Sequence, residues 1–113
     1  MIVYLPWPSR ILSPNARAHW SGIARAKRKA RIDAYYLARA ERPSLTMTAP
    51  LVSIDFLPPD NRRRDLDNLI ASMKAALDGI SDAIGCDDHT FRLAAKMGPA
   101  KPPYGAVIVT VTP

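Results

Sequence analysis

Residues 66–84 constrain this chain more than any other segment. Leu66, Leu69, Ile70, Met73, Leu77, Ile80 and Ile84 recur at intervals of three and four. That spacing puts them in one stripe along an α-helix. A helix with a single apolar face must bury it against a second layer. Gly85 follows as a suitable C-terminal stop. The second layer is legible as strands. Residues 106–112, Ala-Val-Ile-Val-Thr-Val-Thr, are rich in β-branched side chains. Residues 51–57 alternate Val52, Ile54 and Phe56 against Ser53 and Asp55, and Pro58-Pro59 closes the run. A short strand at 2–5 is ended by Pro6 and Pro8. A further strand at 91–97 alternates Phe91, Leu93, Ala95 and Met97.

Residues 17–40 form the other predicted helix, ended before Pro43. The order is then β-α-β-α-β-β. It implies an α/β (α+β) domain, a small mixed sheet with two helices, in which the last two strands pair as a hairpin. At 113 residues the chain is one domain, 1–113, with a single modest core.

On a helical wheel Trp20, Ile23, Ala26, Ala30, Ala34 and Leu37 share one side of the 17–40 helix, which makes Trp20 a core residue. Arg17, Arg25, Arg28, Lys29 and Arg39 lie opposite, with Tyr35 among them. The net charge is +6, and it is unevenly placed. Residues 17–42 hold eight Lys/Arg against Asp33 and Glu41, while residues 60–88 hold seven of the ten acids. A small basic domain suits an anionic partner, nucleic acid above all.

The single cysteine, Cys86, excludes an internal disulfide, and without a histidine cluster it argues against zinc. Cys86 reads as a small, partly buried apolar residue. The opening residues have no basic stretch before an apolar one, so a secretion signal is not expected. No apolar run reaches the length of a membrane span, and a cytoplasmic protein is the default.

The chemistry concentrates in Arg62-Arg63-Arg64-Asp65-Leu66-Asp67-Asn68 and in Asp87-Asp88. Asp65 falls at the N-cap of the second helix and Asp67 in its first turn, where the helix dipole favours negative charge. Capping alone explains one such acid. Two of them, beside three arginines, suit a divalent cation held by oxygen ligands next to a phosphate clamp. Lys74 is placed to contact a phosphate, or to pair with Asp78 one turn on. Asp87-Asp88 occupies the turn after the helix, either for local hydrogen bonding or as further ligands. His19 and His89 read as solvated. Trp7, Trp20, Tyr35 and Tyr36 offer stacking surface, and Arg25, Arg28 and Lys29 offer phosphate contacts that ignore base sequence.

These motifs resemble the RusA-type Holliday-junction resolvases of bacteria and their phages. The resemblance rests on Arg63-Arg64-Asp65-Leu66-Asp67-Asn68, Lys74, Leu77-Asp78 and Asp87-Asp88, with Leu5-Pro6-Trp7-Pro8 and Ser13-Pro14-Asn15 at the start, and spans nearly the whole chain. It implies an endonuclease that depends on Mg²⁺, with Mn²⁺ as a substitute, and nicks four-way DNA junctions as a homodimer. Carried over, Asp65, Asp67 and Asp88 are the essential metal ligands, assisted by Asp87, and Lys74 is the essential lysine. Arg62, Arg63 and Arg64 would grip flanking phosphates. Asp78 matches a recurrent position whose distance from Asp67 suggests a structural task. The competing expectation is a basic DNA-binding or recombination-mediator module without catalysis, in which Asp65 and Asp67 merely begin a helix.

Overall fold

The computed structural model describes residues 1–113. The elements are β1 (Ile2–Leu5), α1 (Trp20–Ala40), β2 (Leu51–Leu57), α2 (Leu66–Ser72), α3 (Lys74–Ile84), β3 (Arg92–Met97) and β4 (Ala106–Thr112), with short 3-10 turns at Arg10–Leu12 and Asp88–Thr90. The class is the expected one, helices against a mixed sheet. The strand pairing, the continuity of the second helix and the buried face of α1 differ from the sequence reading, each for a physical reason.

The strand order is β1-β4-β2-β3. β4 runs antiparallel to both β1 and β2, while β3 runs parallel to β2. The last two strands are therefore not a hairpin. β2 separates them, and α2 and α3 make the crossover that a parallel pair requires. Burial explains the placement. Val107, Val109 and Val111 are fully buried, as a strand with neighbours on both sides must be, whereas β3 is exposed along most of its length and suits an edge.

The expected second helix is broken in two. Ser72 Oγ donates to the Asn68 carbonyl at 2.8 Å, and the Met73 N–H bonds to the Ile70 carbonyl at 3.0 Å. A hydroxyl taking the i−4 carbonyl and a tightened turn together interrupt the ladder. Gly85 ends α3 at φ 67°, the left-handed geometry for which its lack of Cβ suits it.

The core lies between the helices and one face of the sheet. Val3, Val109 and Ile54 are in register across three strands, as are Leu5, Val107 and Phe56. Ile80, Ile84 and Leu77 of α3 and Ala34 and Ala38 of α1 cover them. The α1 and α3 backbones approach closely through these alanines and Gly79. A β-carbon on Gly79 would lie 2.1 Å from the Arg31 carbonyl oxygen. This close contact turns the bulkier side chains of α1 away from α3. Trp20, expected in the core, is 75% exposed, and Leu37 is exposed as well. Tyr35, expected on the outer face, packs against the core instead. No helix is long and apolar enough to cross a membrane.

Candidate functional site

The break at Met73 sets Lys74 at the head of α3. Its Nζ donates to Asp78 Oδ1 at 2.8 Å, one turn on, and to Asp88 Oδ2 from the 3-10 turn that follows the helix. One ammonium thus joins two carboxylates from different elements. The bond to Asp78 is the larger of the two influences that raise the Lys74 pKa above its usual value, with Asp88 next, and Lys74 in turn holds the Asp88 carboxyl below the ordinary carboxylate range. Lys74 is 65% exposed, so solvent screens the triad.

Acids continue along this flank. Arg31 Nε and Nη2 donate to both oxygens of Asp82 at 2.7 and 3.0 Å. This two-pronged bridge ties α1 to α3 and lowers the Asp82 pKa, the direct hydrogen bond being the main cause. Asp87 pairs with His89 Nδ1 at 2.8 Å, and that bond depresses its pKa. Asp78, Asp82, Asp87 and Asp88 line one shallow concavity with Arg31 and Cys86.

Asp65 and Asp67 sit elsewhere, at the start of α2. Asp65 is the N-cap, its carboxylate accepting the Asp67 N–H at 2.9 Å. No three His, Cys, Asp or Glu side chains converge closely enough to hold a metal ion. The carboxylates of Asp65, Asp67 and Asp88 therefore do not make a shared Mg²⁺ pocket in this arrangement. Asp88 is held by Lys74, and Asp65 is engaged by its own helix start.

The arginine triplet divides by role. Asp60 accepts the Arg62 backbone N–H at 2.9 Å and the Arg62 Nε at 3.1 Å. It also pairs with Arg64 Nη2 at 2.8 Å. Its pKa is lowered, chiefly by the Arg62 backbone bond. Arg64 donates further to the Asp60 and Arg62 carbonyls, and its guanidinium lies 5.4 Å over the Trp7 ring. Trp7 meets Phe56 edge-on, centroids 6.0 Å apart. Arg64 is thus a bracket for the loop, and Arg63 is the member of the triplet with no ion pair.

A cleft of about 820 Å³ lies between α1 and α2–α3. Lys27, Arg28 and Arg31 line it from α1, Lys74 and Asp78 from the opposite wall, with Leu12, Pro14, Ile70 and Leu93 between. Of the basic residues expected on the outer face of α1, Arg28 lines this cleft and Arg25 is exposed without an ion pair. Lys29 is bound to Asp33 at 2.6 Å.

An uncharacterized protein of Xylella fastidiosa (strain Temecula1 / ATCC 700964) is 39% identical over 112 residues, covering 96% of this chain and 73% of that protein. This chain belongs to the same family. No protein-family model matches it.

Sequence reasoning reached Lys74, Asp78 and Asp88 but not the reason they meet. It missed the Arg31–Asp82 bridge, which needs two helices to be packed before it can be seen. It also missed Lys27 in the cleft. Asp60 carried a usable signal, standing two and four residues before Arg62 and Arg64.

Proposed function

We propose that this chain is a structure-selective endodeoxyribonuclease of the RusA kind, resolving four-way DNA junctions by paired nicks as a homodimer. The observation that carries the reading is the meeting of Asp88 with Lys74, fourteen residues apart, where Lys74 lines the cationic cleft. Both belong to the motif set on which the resemblance rests. The cleft adds cations for the backbone of a polyanion, which binds through counterion release and without base readout. Arg63 adds another at the head of α2.

As placed here, Asp65, Asp67 and Asp88 are not gathered round one ion. What these residues do is narrower. Lys74 and Arg31 fix the acids against α3, and the cations of α1 hold phosphates beside them.

A second reading has an observation of its own. Asp65 caps a helix, and no three acidic or imidazole groups gather. These facts favour a DNA-binding or recombination-mediator module without catalysis. One assay separates the readings. A labelled synthetic four-way junction is incubated with the protein, with Mg²⁺ and with EDTA. The nuclease gives symmetric nicks in Mg²⁺ that vanish in Asp67→Asn. The binding module gives a salt-sensitive shift of the junction and no nicks under either condition.

A further inference from the structure

We infer that the start of α1 is a landing site for an unpaired nucleic-acid strand, with one base stacked on Trp20 and its backbone running into the cleft toward Lys27 and Arg28. The inference rests on nucleic acid being the substrate class and names the form of it that this face accepts. Trp20 begins α1, 75% exposed, and the His19 ring lies 5.4 Å from it at 34°. His19 is fixed there by its own cap, in which Nδ1 accepts the Ser21 N–H at 3.2 Å. The indole is therefore presented from a capped helix end and not from a loose terminus.

The helix carries the second half of the argument. Lys27 follows Trp20 by two turns, about 10 Å along the axis and within roughly 20° of the same direction. Arg31 follows in the same line, about 16 Å from Trp20. Lys27, Arg28 and Arg31 line the cleft. Lys27 and Arg28 make no ion pair, and neither do Arg17 and Arg25. Two unpaired cations, Lys27 and Arg28, leading from an exposed aromatic toward the Asp82-paired Arg31 are the combination that single strands use, phosphates on the charges and a base on the ring. A duplex keeps its bases stacked on each other and has none to give the indole. A bilayer surface would require a broad apolar plane beside the tryptophan, whereas these cations line a concave cleft.

The test is a titration in EDTA, so that it needs no cleavage. A fluorescein-labelled thymidine oligomer and a blunt duplex of equal length are followed by anisotropy, at several salt concentrations. The expected result is a roughly tenfold loss of single-strand affinity in Trp20→Ala with little change for the duplex. Lys27→Glu with Arg28→Glu weakens both probes and flattens the salt dependence. In a Trp7→Phe chain Trp20 is the sole tryptophan, and the oligomer quenches its emission. Wild-type single-strand affinity in Trp20→Ala overturns the inference. So does an emission that responds to anionic phosphatidylserine vesicles and not to the oligomer. A chain that never nicks a junction can still pass this titration, and one that nicks junctions can still fail it.

Discussion

Gly79 faces Arg31 so closely that a β-carbon on Gly79 would stand 2.1 Å from the Arg31 carbonyl oxygen. The obstacle is backbone, which cannot swing aside, so adding a methyl group must separate the two helices. Gly79→Ala is expected to lower stability by about 3 kcal/mol despite the better helix propensity of alanine. Gly22→Ala is the control. Its β-carbon would meet only Ile11 Cδ1, at 3.4 Å, and the substitution is expected to be neutral or to stabilise by about 0.5 kcal/mol. Urea melts of the two variants read the difference directly. Equal stabilities would show that α1 and α3 are not in backbone contact.

The arginine triplet should separate by phenotype. Arg64 has a side chain only 15% exposed, pairs with Asp60 and covers Trp7. Arg64→Ala is expected to cost about 1–2 kcal/mol, through lost packing as much as lost charge. Arg63 makes no ion pair, so Arg63→Ala should leave the melting point nearly unchanged. If Arg63 grips a phosphate as proposed, that variant loses affinity for every sequence alike, and its salt slope falls by about one. Thermal melts and gel shifts of the two proteins decide it, and a destabilised Arg63→Ala would contradict the division.

Acid should unfold this protein through its paired carboxylates. Asp60, Asp82, Asp87 and Asp88 are all held below the usual 3.8 in the fold. A depressed folded pKa gives stability that is present above the unfolded value and lost as pH falls through the folded one. Melting temperature should therefore hold down to about pH 5 and decline below about pH 4. Lys74 has the opposite sign. Its raised pKa stabilises fully below the unfolded value of 10.5, and that contribution is lost as pH rises through the higher folded value. Asp88→Asn removes one pair from the acid limb, on the order of 0.5 kcal/mol after solvent screening. Melts from pH 3 to 8 that superimpose for wild type and Asp88→Asn would remove the Lys74–Asp88 pair from the stability argument.

The parts of this fold that sequence exposed are the parts governed by near neighbours. β2, and β4 up to the exposed Thr112, alternate buried and half-buried residues, so period two was visible in the chain itself. Asp65 could be seen as a cap because its partner, the Asp67 N–H, lies two residues away. The hairpin expectation for β3 and β4 failed because pairing order is non-local. Nothing within residues 91–112 says that β2 will lie between them. Trp20 was misplaced because a helical wheel assumes that the bulkiest apolar residues mark the buried face. In α1 the buried face is set by Ala34 and Ala38 against Gly79, where small size permits close approach. The acidic flank was half legible, since the Lys74–Asp78 spacing was in the sequence but the return of Asp88 to Lys74 depended on the turn that follows Gly85.

The two carboxylates on Lys74 provide the sharpest division between chemistry and architecture. Asp78 lies one turn from Lys74 on the same helix and steadies it. Asp88 comes from the following turn and belongs, with Asp65 and Asp67, to the set that the resemblance makes essential. In the nuclease reading Asp88→Asn is expected to remove junction nicking by at least about a hundredfold, while affinity for the junction holds or rises because a repelling charge is gone. Asp78→Asn should keep most of the activity, since Lys74 retains Asp88 as a partner. Nicking in Mg²⁺, paired with gel shifts in Ca²⁺, measures both quantities for each variant. Equal losses of nicking in Asp78→Asn and Asp88→Asn would mean that the triad acts as one positioning unit. Loss of junction binding in Asp88→Asn would count against any metal-holding task for that residue, because removing a carboxylate from the acidic flank beside the cleft eases the approach of phosphate.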